Sequence, residues 1–218
     1  MRAWELVLVM SVAFAPLLFS STAAYILGSE SRFTKLGILS LILHECLALA
    51  VLAYVLSRRR GSLADLGIAF RFADAGMGFL LAIAGGMAAS SCQIALQEFH
   101  SRSSLQSVQF AETDKVVFSG DVFFMGVLLI AVNPIFEELL VRGYLMRELA
   151  QFTGSSWAPA AASVVLQSSY HLYQGPANVV YLSACFTIWA IYFSQTRRLM
   201  PVIFAHFYLD ALALLRST

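Results

Sequence analysis

The feature that most limits this chain is a repeating order in which apolar stretches long enough to cross a bilayer alternate with short polar or basic breaks. A hydrocarbon core about 30 Å thick needs roughly 20 apolar residues for each helical crossing. Seven stretches meet or approach that requirement, at about 4–27, 36–56, 76–96, 121–150, 157–173, 178–194 and 200–216. Only 12% of the 218 residues are charged and 59% are apolar, whereas an ordinary soluble domain carries roughly a quarter of charged residues. The expected fold is all-α: a polytopic transmembrane helical bundle of about seven membrane-spanning helices, forming a single integral membrane domain over 1–218. A formal net charge of +1 argues neither for nor against a particular partner, and nothing in the sequence suggests nucleic acid.

Arg2 followed by the apolar run Leu6 to Phe19 and then Ser20-Ser21-Thr22-Ala23-Ala24 has the outline of a signal peptide. With so many later spans, the segment reads as a retained first helix. An interior N-terminus places Arg2, Arg58, Arg59, Arg60, Arg71, Arg142, Arg147, Arg197 and Arg198 on or toward the cytoplasmic side, and Arg32, Lys35, Arg102, Lys115 and Arg216 on the other. That bias follows the positive-inside rule. Cys46, Cys92 and Cys185 match no metal spacing and read as small buried hydrophobes. The linker from Gln97 to Gly120 is polar and has room for a surface helix. In the long fourth span, Asn133-Pro134 predicts a kink or a fresh helix start, with Asn133 as the cap.

Ionisable side chains inside a span are costly and point to function by default. Five follow Pro134. Glu138 and Arg142 lie four apart on one helical face, acid first, which is the favourable order. Glu137 points about 100° away from Glu138, so it is expected to be the carboxylate left free to act. His206 and Asp210 share a face of the last span, and His171 ends the fifth. The alternative for each is local charge compensation or an ordinary satisfied polar group. Three segments each presenting such a residue argue against coincidence. His44-Glu45 opens like a zinc-protease helix, but Ala48 stands where the second histidine belongs. His44 is therefore expected to be a packing or helix-contact residue.

These motifs resemble the CPBP family, which joins type II CAAX prenyl endopeptidases to bacteriocin-processing and immunity-type membrane proteins. Its pattern is Glu-Glu-x-x-x-Arg, then Phe-x-x-x-His, then His-x-x-x-Asn or Asp. Glu137, Glu138 and Arg142 fit the first motif, and His206 and Asp210 the third. The second keeps His171 but has Gln167 at the phenylalanine position. The likeness covers about residues 120–216, with all the motifs within 133–210.

The resemblance implies an intramembrane endopeptidase of the glutamic type, built around a conical intramembrane cavity and needing no cofactor. In that scheme Glu137, aided by His171, activates water. His206 and Asp210 stabilise the oxyanion, and Glu138 and Arg142 support the site. The implied partner is a membrane-associated protein or peptide substrate, lipidated or not, bearing a prenylated CAAX-like end, a leader or a C-terminal sorting segment. The implied location is a bacterial inner (cytoplasmic) membrane. Two alternatives stay open at this stage. One is a zinc metalloprotease, with His171, His206 and Glu137 as zinc ligands. The other is a non-catalytic membrane protein such as an immunity factor.

Overall fold

In lipid every backbone donor and acceptor must be satisfied within the protein, which leaves helices as the natural solution for such apolar segments. The computed structural model describes residues 2–28, 34–102, 122–155 and 157–216. Among them are seven helices: α1 (Arg2–Leu27), α2 (Lys35–Arg58), α3 (Ala73–Arg102), α4 (Phe123–Thr153), α5 (Trp157–Ser169), α6 (Pro176–Thr196) and α7 (Met200–Arg216). Five of these, α1 to α4 and α6, are long and apolar enough to cross a membrane, while α5 and α7 have 13 and 17 residues. Arg32, Lys115 and most of the polar linker after Gln97 lie outside the described residues.

The surface is apolar and the centre carries the charge, the reverse of a water-soluble domain. Phe19, Leu27, Leu36, Phe124 and Trp157 are exposed, whereas Glu45, Glu137, Glu138, Arg142 and Gln167 are buried. This chain is an integral, multi-pass membrane protein. Cys185 is buried as expected, but Cys46 and Cys92 are exposed on the apolar outer surface. Lipid accommodates a thiol there as readily as the core does.

Two local expectations change. The fourth helix does not restart at Asn133-Pro134. It runs through Pro134 as an α-helix to Glu138, widens into a π-helix at Leu139–Met146 and returns to α-helix at Arg147–Thr153. Asn133 stays within the helix, and its side chain points to two carboxylates instead of capping a terminus. The irregularity that proline hinted at falls five residues later, as a wide turn of the kind often found at functional sites. Every residue of that π segment is buried. Gly143 within it lets the Leu63–Leu66 turn approach, since a Cβ there would sit 3.2 Å from Leu66.

The fifth span also stops early, at Ser169. His171 lies just beyond it, before the short turn Leu172–Gln174, and Gly175 adopts φ +84° ahead of Pro176 at the start of α6. The imidazole therefore comes from a break between helices.

Packing brings α3 along α6 and α7, α2 and α7 against α4, and α5 against α6. Phe14 of α1 stacks on Tyr170 at 5.2 Å and meets Phe136 at 5.5 Å. At one end of the bundle Arg59 donates to Glu5 at 2.7 Å and to Glu148 at 2.8 Å, joining α1, α2 and α4. Asp74 pairs with Arg198, tying the start of α3 to the residues before α7. In the linker between α2 and α3, the Asp65 carboxylate accepts the Ser62 backbone N–H at 2.7 Å, then the Ser62 hydroxyl at 3.2 Å. Those bonds hold its pKa below the usual carboxylate value.

Helices in lipid associate through close packing of small residues, and α3 meets α7 at Gly78. A Cβ there would collide with Phe204 and lie 2.8 Å from the Pro201 carbonyl oxygen, a backbone atom with little freedom to yield. Gly78→Ala is expected to destabilise the bundle by about 1–3 kcal/mol, the range for overpacking. Thermal unfolding in lipid nanodiscs checks this, and a gain in stability would show that α3 and α7 pack less tightly than described.

Candidate active site

A carboxylate taken out of water needs donors or a counter-charge, and the site is assembled around that need. Glu138 and Arg142, both 0% exposed, pair at 3.1 Å across one turn of α4. Arg142 also donates to Gln167 Oε1 on α5 and to the Phe186 carbonyl on α6 at 3.4 Å, with its guanidinium 5.4 Å from the centre of the Phe186 ring. His206 on α7 places Nδ1 2.9 Å from Glu138 Oε1. The carboxylate can only accept, so the ring nitrogen donates. The supporting pair thus fastens four helices together.

Glu137, 4% exposed, is turned to the neighbouring face and is not bare. It accepts from the Tyr170 hydroxyl at 2.6 Å, from Gln167 Nε2 at 2.8 Å and from Asn133 Nδ2 at 3.1 Å. The same Asn133 nitrogen reaches Glu45 of α2 at 2.9 Å. Glu137 is left out of the Arg142 ion pair, as expected, but it is held by donors of its own. Asn133 one turn back on α4, Gln167 within α5 and Tyr170 just past its end bring two amides and a phenol onto it.

The two histidines differ. His171 Nδ1 donates to the Gln167 carbonyl at 2.7 Å, and its ring lies against Tyr170 at 4.7 Å and Phe186 at 5.5 Å. That bond fixes the tautomer and leaves Nε2 as an acceptor. His206 packs on Trp189 at 5.4 Å, and its Nε2 faces Asp210 Oδ1 at 3.6 Å, too long for a hydrogen bond. Both imidazoles lie within electrostatic range of the Glu137 carboxylate. Glu137, Glu138, Arg142, His171, His206 and Asp210 thus form one cluster, in which His171 reaches Glu137 through Gln167 and Tyr170.

Gln167 is the residue whose importance the motif hid. It stands where the family pattern has phenylalanine, and here it accepts from Arg142 while donating to Glu137 at 2.8 Å and Glu138 at 3.4 Å. Asn133, Tyr170 and Glu45 were also missed as site residues. The signal for Glu45 was an acid within an apolar run, set aside once its zinc motif failed. His44 behaves as expected, its Nε2 2.9 Å from the Ala13 carbonyl oxygen.

Among the described residues no three His, Cys, Asp or Glu side chains are arranged to hold a metal ion. A cavity of ≈ 460 Å³ lies further along α4, lined by Asp65, Gly143, Arg147 and Arg197 among others, and by none of the expected catalytic residues.

The helical bundle thus holds acids and imidazoles together among buried apolar residues. Residues 119–212 match the family model described as type II CAAX prenyl endopeptidase Rce1-like. That stretch is therefore similar to the Rce1-like family of type II CAAX prenyl endopeptidases. No curated protein matches the chain, and no solved structure does.

Arg142→Met leaves Glu138 buried without its counter-charge and is expected to cost about 3–5 kcal/mol. Adding Glu138→Gln removes the stranded charge and should recover at least half of that loss. Unfolding measurements on both variants in lipid check the coupling, and additive losses would mean that the two groups do not depend on each other.

Proposed function

We propose that the protein is a metal-independent glutamic protease that hydrolyses a peptide bond near the end of a membrane-associated substrate, with Glu137 as the general base. The observation that carries this reading is the setting of Glu137, a buried carboxylate held by three donors from α4, α5 and the segment after α5. A base so fixed is aimed without reorganisation at the moment of reaction.

In the proposed reaction, water lies between Glu137 and the free Nε2 of His171. Its oxygen attacks the scissile carbonyl carbon as one proton passes to Glu137, and the carbonyl π pair moves onto oxygen. Nε2–H of His206 stabilises that oxyanion. Since Nδ1 already donates to Glu138, this role requires the imidazolium form of His206. Collapse of the intermediate expels the amine, which takes the proton from Glu137, and the carboxylate is restored. Asp210, 3.6 Å from His206 Nε2, orients the imidazole. It makes no direct contribution to the oxyanion, since an ionised aspartate would repel it.

A zinc route through His171, His206 and Glu137 is less favoured. Glu137 already accepts from Tyr170, Gln167 and Asn133, which suits a base held by hydrogen bonds better than a zinc ligand. The family supports a CAAX-type substrate, and we take a prenylated chain end as its form. The proposed location is a bacterial cytoplasmic membrane, with the arginine-rich helix ends inward.

The test uses purified protein in liposomes and a farnesylated CAAX-type peptide, followed by product mass spectrometry. Glu137→Gln should lower kcat by a factor on the order of 10² to 10⁴, the usual range for a lost general base, and strong chelators should leave the wild-type rate unchanged. Chelator-sensitive cleavage restored by zinc would overturn the metal-free scheme. Asp210→Asn should remain active and Asp210→Ala should not. Gln167→Phe should lose about tenfold or more, because it strips hydrogen bonds to charged groups worth roughly 1.5–3 kcal/mol each.

A further inference from the structure

Glu45 has no part in the scheme above, yet it is an acid 0% exposed in the middle of α2, where lipid and protein exclude water. Its Oε1 accepts from Asn133 Nδ2 at 2.9 Å, and its Oε2 has no hydrogen-bond partner among the described residues. The same Asn133 nitrogen donates its second hydrogen to Glu137 at 3.1 Å. Two carboxyl groups thus share one amide nitrogen, with the bonded oxygens no more than about 6 Å apart. The groups facing Glu45 are Glu137 from α4 and Asp210 and His206 from α7. From α1, the Ala13 carbonyl is taken by the adjacent His44.

Two negative charges this close in a dry site repel strongly, so such a pair holds one charge. The donors decide which member carries it. Glu137 receives three, including a phenol at 2.6 Å, while Glu45 receives one and keeps a bare buried oxygen. Hydrogen bonds to a carboxylate favour its ionised form, and a bare oxygen is better borne as a neutral acid.

We propose that Glu45 is a positioning residue for the base: a neutral carboxylic acid that anchors the Asn133 amide against Glu137 and leaves the shared charge on Glu137. The inference rests on the reading of Glu137 as the base. It assigns a role to α2, which lies outside the matched residues 119–212. Neutral Glu45 holds Asn133 through its carbonyl oxygen, so a glutamine, whose amide oxygen also accepts, should replace it. An alanine should not.

The direct test reads the proton itself. Infrared spectra of the full chain in liposomes should show the carbonyl stretch of a non-ionised carboxylic acid at neutral pH. The band should be lost in Glu45→Gln and kept in Asp210→Asn. A band lost in Glu137→Gln but kept in Glu45→Gln, or one that no Glu45 substitution alters, would overturn the proposal. In the farnesylated-peptide assay Glu45→Gln should keep kcat within about threefold of wild type and Glu45→Ala should lower it tenfold or more with KM little changed. A Glu45→Gln variant that folds normally and is as inactive as Glu45→Ala contradicts a neutral anchoring role. Retained cleavage by Glu137→Gln would instead remove the base assignment, while the infrared result on Glu45 still stands or falls by itself.

Discussion

One buried ion pair fixes the geometry of everything around it. Glu138 and Arg142 are both excluded from solvent, and a charge at membrane depth is costly unless it is paired. The partners come from three other helices: Gln167 from α5, the Phe186 carbonyl from α6 and His206 from α7. Replacing such a pair by well-packed apolar residues is often neutral or stabilising. Its value here is register, since helices that slide or rotate in lipid are held where their polar groups meet.

That register sets the chemistry one residue away. Glu138 is consumed by structure, so Glu137 faces a second set of donors that the first set has placed. Gln167 joins the two, its carbonyl oxygen on Arg142 and its amide nitrogen on Glu137 and Glu138. A phenylalanine could fill the volume but make none of these bonds. The π-helical turn that follows, at Leu139–Met146, changes the pitch of α4 beside the site and buries Arg142 between α5 and α6.

Much of the fold was legible because the bilayer imposes a simple rule. Apolar runs such as those within α1, α2 and α3 read directly as helices, and their positions agree with the expected spans to within several residues. The expensive residues were legible for the same reason: Glu137, Glu138, Arg142, His206 and Asp210 stand out in an apolar background. What could not be read was backbone irregularity and side-chain pairing. Nothing in Leu139–Met146 announces a π-helix. Asn133 before Pro134 has the form of a cap, yet tertiary contacts with Glu45 and Glu137 claim its amide. His171 looked like the end of a helix because the apolar run continues past Ser169, where the helix stops. Glu45 carried a signal, but a sequence motif cannot show that α2 packs on α4 with Asn133 between two acids.

The proposed cleavage of peptide bonds by this buried cluster, through Glu137, can be tested in cells. Its most direct test is a comparison of chain ends across the membrane proteome of cells making the wild-type protein or Glu137→Gln at equal, correctly folded levels. Accumulation of one or more uncut membrane-associated precursors in the variant alone, with the matching trimmed chains only in wild type, is the expected result. Identical sets of termini in the two membranes, together with full retention of the cellular phenotype by Glu137→Gln, would contradict it.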